Sequence, residues 1–277
     1  MDRPIGGMTM TPNLWEEIES TDVSPGTLVM WWLYQSGVIF KSSGGTVIAV
    51  DPYLSDSVTR SYGLPRNVTA PIDPAEVELD ALLATHSHED HLDPDSIVAF
   101  LSHDRTTFIG PPMAIDKVVS SGVDSSRTTS VVRGDTRKIG DIVVRVVHAR
   151  HEFGLEPTPD AVGYVIESDG ISVYHSGDTE YDSEIIADTR GVTASLISIN
   201  GTTGNMNVHE AAMLAWQQGA SLAIPFHYGL WRDVDYGEGA TLDPQQFVDT
   251  LHRLDPDART LVFEGTSPVT LSKGGLA

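Results

Sequence analysis

Asp80-Ala81-Leu82-Leu83-Ala84-Thr85-His86-Ser87-His88-Glu89-Asp90-His91-Leu92-Asp93 is the stretch on which the rest of the chain turns. Leu82 to Thr85 is an apolar run that predicts a buried strand. The run releases His86, His88, Asp90 and His91 into a tight turn. Asp93-Pro94 then supplies a helix start, a capping side chain followed by Pro at the first helical position. Ligand-type side chains therefore sit where a core strand stops and a helix begins. At strand spacing, period two puts His86, His88 and Asp90 on one face and His91 on the other. That geometry suits two adjacent metal ions better than one. A polar loop with incidental histidines is the bland alternative. Four imidazole or carboxylate groups so close together after a buried strand favour a metal or catalytic site.

Composition limits what such a site can be. The 277 residues contain no Cys, so any metal is held by His, Asp or Glu, and no thiol nucleophile is available. With 40% hydrophobic residues the chain can bury a sizeable core. No low-complexity linker or composition break divides it, which predicts a single domain over residues 1–277. Met1-Asp2-Arg3-Pro4 does not open a signal peptide and no run reaches membrane-span length, so a cytoplasmic, soluble protein is expected. Net charge is −22, from 39 acidic residues against 17 Lys and Arg. Only Lys41, Lys117, Lys138 and Lys273 are lysines, a balance similar to that of proteins from salt-loving archaea. At molar salt the Debye length is about 3 Å, which screens such a surface. The same charge makes nucleic acid an unlikely partner, since phosphate binding needs clustered Lys and Arg.

In chain order, the patterning predicts a helix from Pro12 to Glu19 and strands over Thr27–Leu33, Gly37–Lys41 and Thr46–Asp51. Leu54–Ala75 lacks periodicity and is expected to be a long loop. A helix from Asp95 to about Ser102, a strand at Thr107–Gly110 and a helix over Met113–Ser121 follow the ligand turn. Further strands are expected at Ile142–Val147, Ala161–Ser168, Ile171–His175, Ala194–Ile199, Leu222–Phe226 and Thr260–Glu264. Helices are expected at Val208–Gln218, capped by Asn207, and at Pro244–Leu254. Strands mixed with helices in two similar halves suggest two sheets packed face to face with helices outside.

Three later strands end in a further ligand-type residue, His151, Asp178 and His227. Together with the first turn this makes seven groups, enough for two sites of nitrogen and oxygen ligands. Asp178 is the natural bridge, because a carboxylate can offer one oxygen to each of two ions. His148 competes with His151; period two puts it on an apolar face with Ile142, Val144 and Val146, so the expectation is a packed histidine. His175, just before Asp178, is expected to orient a ligand by donating to a carbonyl or carboxylate. Tyr228, Trp231 and Arg232 follow His227 and are candidates for the substrate pocket, Arg232 as an anion clamp. Asn200 and Asn205 lie on the loop after another strand and are weaker candidates for facing substrate.

His86-Ser87-His88-Glu89-Asp90-His91 resembles the HxHxDH motif of the metallo-β-lactamase superfamily. Ser176-Gly177-Asp178-Thr179 and Pro225-Phe226-His227 resemble its later motifs. Within it, Pro25-Gly26-Thr27, Met30-Trp31-Trp32-Leu33, Tyr174-His175-Ser176-Gly177-Asp178 and Ile224-Pro225-Phe226-His227 are similar to the L-ascorbate-6-phosphate lactonase branch, over residues 12 to 235. The resemblance implies an α/β fold, the αββα four-layer sandwich. It also implies His86, His88 and His151 on one ion, Asp90, His91 and His227 on the other, and Asp178 between. The chain departs from the lactonase pattern at Ser87, Glu89 and His151 and is shorter, which bears on substrate and not on two-metal chemistry.

The expected cofactors are two divalent ions, Zn²⁺ or Mn²⁺, which His and Asp ligands suit about equally. The expected activity is hydrolysis by a hydroxide shared between the ions, with Asp90 both ligating and orienting it. The expected substrate is a lactone or ester of a small sugar acid, phosphorylated or not; a homo-oligomer is compatible with the sequence. Two alternatives are a phosphodiesterase or nuclease on the same scaffold, and a metal-binding protein without activity.

Overall fold

A computed structural model describes residues 13–152 and 156–277; Pro12, the expected start of the first helix, lies outside them. Helix α1 (Leu14–Ser20) is closed by a capping box between Asn13 and Glu16. Strands β1 (Leu28–Trp32), β2 (Val38–Ser42) and β3 (Val47–Val50) form an antiparallel meander. The chain continues through α2 (Ser57–Tyr62), β4 (Ala81–Leu83), α3 (Pro94–Phe100), β5 (Thr107–Gly110), α4 (Pro112–Ser120) and β6 (Thr128–Ser130). The second half contains β7 (Thr136–Ile139), β8 (Ile142–His148), β9 (Val162–Ser168), β10 (Ile171–His175), α5 (Ser183–Thr189) and β11 (Ala194–Ser198). After them come α6 (Val208–Gln218), β12 (Leu222–Phe226), α7 (Pro244–Leu254), β13 (Val269–Ser272) and β14 (Gly275–Leu276).

The strands make two sheets, ordered β14-β13-β1-β2-β3-β4-β5-β6 and β12-β11-β10-β9-β8-β7. Period-two alternation divides their side chains between three apolar layers. Leu28, Met30 and Trp32 of β1 meet Ile142, Val144, Tyr164 and Val173 between the sheets. Val29 and Trp31 face outward, under Trp15 and Ile18 of α1, Ile97 and Phe100 of α3 and Val118 of α4. Val147, Val165 and Ile197 of the second sheet pack in the same way beneath α5, α6 and α7. Both sheets are thus covered on both faces, which makes the four-layer αββα sandwich that the sequence implied.

Two hairpin turns fasten the sheets at one end. Asp141, between β7 and β8, accepts from Ser42 Oγ at 2.6 Å and Gly44 N at 3.0 Å, and also from Thr46 Oγ1. A Cβ on Gly44 would lie 2.5 Å from that carboxyl group, so a side chain there would push the clasp open. Asp169, between β9 and β10, accepts from Gly26 N at 2.9 Å and Ser43 Oγ at 2.7 Å. We expect Asp141→Ala to cost about 1–3 kcal/mol in urea unfolding, since several donors lose one shared acceptor. A loss below about 0.5 kcal/mol would show that solvent replaces the clasp.

The structure differs from the sequence expectations in several elements. Leu54–Ala75 holds α2, ended by Gly63 in the left-handed region, and a 3-10 turn at Pro74–Glu76. Six residues are too few to display a 3.6 period. No strand covers Thr260–Glu264: Thr260 makes one isolated bridge to Ala223, while Leu261 and Phe263 bury against the inter-sheet core without a ladder. The closing strand is β13, which pairs with β1. Helix α5 was not expected, although Asp182 caps it through the Glu184 N–H.

Candidate metal centre

The site forms where parallel strands of the two sheets stop side by side. Strands β3 and β4 run parallel in the first sheet, and β10, β11 and β12 run parallel in the second. Their C-terminal ends therefore deliver Asp51, the His86–His91 turn, Asp178 and His227 to one edge of the sandwich. Gly177 lets the two sheets come together there: it has φ +57°, and a Cβ would sit 2.6 Å from Thr85 Oγ1. Among non-glycine residues with positive φ, Tyr34, Gln35, Asp51, Thr203 and His227 belong to loops around this edge. Strained backbone of this kind persists where surrounding packing over-determines it, and it gathers at functional sites.

The seven ligand-type residues converge. Donor atoms lie within 4.8 Å of one another in three groups: His86, His88 and His151; His86, His91 and Asp178; and Asp90, His91 and His227. His88 Nδ1 is 2.9 Å from His86 Nε2 and 3.3 Å from His151 Nε2. Asp178 Oδ1 is 2.8 Å from His227 Nε2 and 3.2 Å from His91 Nε2, and its other oxygen faces His151 at 3.9 Å. Asp178 thus stands between the two outer groups.

Four of the five histidines are held by the nitrogen that does not point inward. His88 Nε2 donates to the Glu156 carbonyl at 2.6 Å, and His151 Nδ1 to that of Gly204 at 3.1 Å. His86 Nδ1 is 3.1 Å from Thr85 Oγ1, and His91 Nδ1 is 2.7 Å from Asp51. Outer partners of this kind fix ring orientation and tautomer for metal binding. Burial pushes the His86 and His151 pKa values down, with the neighbouring histidines adding to the effect at His86. Both shifts favour the neutral ring, the form that ligation requires. At His91 and His227 burial also disfavours charge, but the carboxylates win; Asp178, Asp90 and Asp51 raise His91, and Asp178 with Asp90 brings His227 to about 9. Asp178 and Asp90 are held below the ordinary carboxylate range by the same histidines, against the effect of burial. The donor set fits divalent cations: convergent nitrogens with their far sides anchored, and carboxylates between them.

Sequence reasoning missed two supporting residues. Asp51, fully buried, accepts from Thr85 N at 2.7 Å and Thr85 Oγ1 at 2.6 Å as well as from His91. Its only signal was its place, the last residue of the strand beside the one that carries the histidines. Gln35, also fully buried, puts Nε2 3.2 Å from Asp90 Oδ2 and from the His227 ring, while its Oε1 accepts from Tyr236 at 3.0 Å. No pattern in the sequence marks it. His175 donates to the Ser36 carbonyl at 2.8 Å and accepts from Gly177 N at 3.2 Å. His148 is not packed in the apolar layer: it is partly exposed, 3.2 Å from the Asp182 carboxylate. The arrival of α5 at the end of β8 gives it a polar partner that periodicity could not show.

The site opens into a cavity of about 240 Å³. Of the substrate candidates, Trp231 and Asn200 line it. Asn205 lies behind the site and donates to Asp178 Oδ2 at 2.7 Å. Tyr228 packs against Trp32 at 5.4 Å between ring centres. Arg232 is exposed and pairs with Asp235 at 2.8 Å through two nitrogens. The other lining residues include Val58, Leu64, Tyr62, Glu89, Glu156 and Tyr236.

Fold and donor set define a metallo-β-lactamase-type hydrolase, and comparison with known proteins agrees. Residues 46–228 match the family described as beta-lactamase superfamily domain, and the chain belongs to that family. It is a metal-dependent hydrolase of this superfamily. It is 29% identical over 276 aligned positions to the probable L-ascorbate-6-phosphate lactonase UlaG of Salmonella heidelberg, covering 83% of this chain and 76% of the relative. The UlaG proteins of Escherichia coli match to the same extent. Among solved structures, the metallo hydrolase Igni18 of Ignicoccus hospitalis superposes with a TM-score of 0.67 at 20% identity, covering 89% of this chain and 99% of that one. An isothiocyanate hydrolase from Delia radicum gut bacteria gives 0.67 at 13% identity, with coverages of 89% and 99%. No described helix is long and apolar enough to cross a membrane.

Proposed function

We propose that the protein is a dinuclear metal-dependent hydrolase that opens a lactone or similar ester of a small molecule. The observation that carries this reading is the set of overlapping donor groups at the floor of a small cavity. His86, His88 and His151 would hold one ion, Asp90, His91 and His227 the other, and Asp178 both. With Zn²⁺ or Mn²⁺ bound, the centre supplies a water acidified toward neutral pH and a Lewis acid for the scissile carbonyl. Gln35 holds one oxygen of Asp90, which lines the cavity and leaves its other oxygen to orient the attacking water. Trp231, Tyr236, Val58 and Leu64 form an apolar wall that limits water to the reacting edge.

The lactone class is carried over from the UlaG relatives; the phosphate in their substrate is not. No Lys or Arg lines the cavity among the described residues, so a phosphoryl group held away from the ions would lack a cationic partner there. At about 240 Å³ the cavity is smaller than those that enclose drug-sized ligands, in keeping with a small substrate.

The test is a panel assay on metal-loaded protein with γ-butyrolactone and bis(4-nitrophenyl) phosphate. Lactone opening that a chelator abolishes and added metal restores is expected. Faster turnover of the phosphodiester would overturn the lactone reading, and inactivity on both would favour a binding role.

A further inference from the structure

Gln35 stands between β1 and β2, fully buried, with its main chain in the left-handed region at φ +50°. Its carbonyl accepts from His227 N at 3.1 Å and from Trp32 Nε1 at 2.9 Å. With the main chain held in this way, what remains to be set is the side of the amide that faces Asp90. A terminal amide torsion is broad and roughly two-fold, so the side chain alone does not choose. Turned one way, Nε2 donates to Asp90 Oδ2 at 3.2 Å and lies 3.2 Å from both ring nitrogens of His227. Turned the other way, a carbonyl oxygen would face the Asp90 carboxylate with no proton between them. Tyr236 decides. Its Oη accepts the Leu230 N–H at 3.3 Å, which directs its proton to Gln35 Oε1 at 3.0 Å. The donors thus run in one direction, from the Leu230 amide through Tyr236 and Gln35 to Asp90. Tyr236 also lines the cavity beside Trp231, with 5.4 Å between ring centres. The cavity wall and the carboxylate beside the reacting edge are therefore joined through two side chains.

We propose that Tyr236 is a positioning residue for the hydrolysis, acting through Gln35 to hold Asp90 and His227 in place. The proposal rests on the hydrolase reading above and deepens it. The Tyr236 ring forms part of the wall, and its hydroxyl locks the Gln35 amide with Nε2 toward Asp90. Without that hydroxyl, Gln35 Oε1 loses its donor and the amide is free to turn. Asp90 Oδ2 then loses the hydrogen bond that leaves its other oxygen directed to the water.

The experiment is a double-mutant cycle on Tyr236→Phe, which keeps the ring and removes one oxygen, and Gln35→Met, which removes the amide at similar length. Three quantities are read for each protein: kcat and KM for γ-butyrolactone at saturating Zn²⁺, Zn²⁺ affinity by competition with a metal indicator, and melting temperature. Tyr236→Phe should lower kcat and Zn²⁺ affinity by about tenfold, the lower end of what an outer partner of a ligand is worth, with KM unchanged. In the Gln35→Met background the same change should alter either quantity by less than about twofold, because residues that act as one unit do not add. A loss in kcat or Zn²⁺ affinity that Gln35→Met abolishes supports the proposal. Losses that multiply in the double variant overturn it, since the two side chains then act separately. A lowered melting temperature with kcat and Zn²⁺ affinity intact also overturns it and makes the hydroxyl a packing group. A raised KM alone overturns it as well, by placing the hydroxyl against substrate. If Gln35→Met does not fold, kcat and Zn²⁺ affinity of Tyr236→Phe decide by themselves. If wild type does not open the lactone, the hydrolase reading fails, and the Zn²⁺ affinities across the cycle decide the positioning role on the same terms.

Discussion

Asp51→Ala is expected to destabilise the protein by about 3–5 kcal/mol and to weaken metal binding about 10–100-fold. Asp51 is fully buried and is not among the residues that line the cavity, yet it joins three donors: Thr85 N, Thr85 Oγ1 and His91 Nδ1. Removing the acceptor leaves these groups unpaired in the interior, and removing one member of a buried charged pair costs about the first amount. The second amount is the usual worth of an outer partner that orients a ligating histidine. Urea unfolding of chelator-treated protein measures the first effect and competition with a metal indicator the second. Full metal affinity with lowered stability would mean that His91 keeps its orientation from packing alone.

Asp178→Ala should have the largest effect on function. The carboxylate stands between the two outer donor groups, with one oxygen near His91 and His227 and the other held by Asn205. Its loss should reduce bound metal and lower lactone opening by more than about 100-fold, beyond the range of an outer partner. Asn205→Ala removes only the brace and should fall within 10–100-fold. Equal losses in the two variants would place Asn205 among the groups that touch the ions or substrate.

Much of this arrangement could be read from the residues. The apolar run before His86 and the Asp93-Pro94 start fixed a strand, a turn and a helix around the histidines, and Asp93 caps α3 as expected. Strand-end placement brought out His151, Asp178 and His227 because each follows a recognisable strand. What was hidden depends on approach across the fold. Asp51 and Gln35 act through elements distant in sequence, and nothing local distinguishes them from a strand terminus and a turn. Arg232 looked like an anion clamp by its proximity to His227, but Asp235 three residues on takes its guanidinium. His148 followed the period of β8 on paper, while the capping residue of α5 supplied its partner in the structure. The missing strand at Thr260–Glu264 has a similar cause: apolar residues can bury against a sheet edge without joining its ladder.

The central claim is a dinuclear centre on these seven side chains, and metal stoichiometry tests it most directly. Purified protein, stripped with chelator, reloaded with Zn²⁺ or Mn²⁺ and dialysed, should carry close to two ions per chain by elemental analysis, and Asp178→Ala clearly fewer. One ion per chain in wild type, or two retained in Asp178→Ala, would contradict the account.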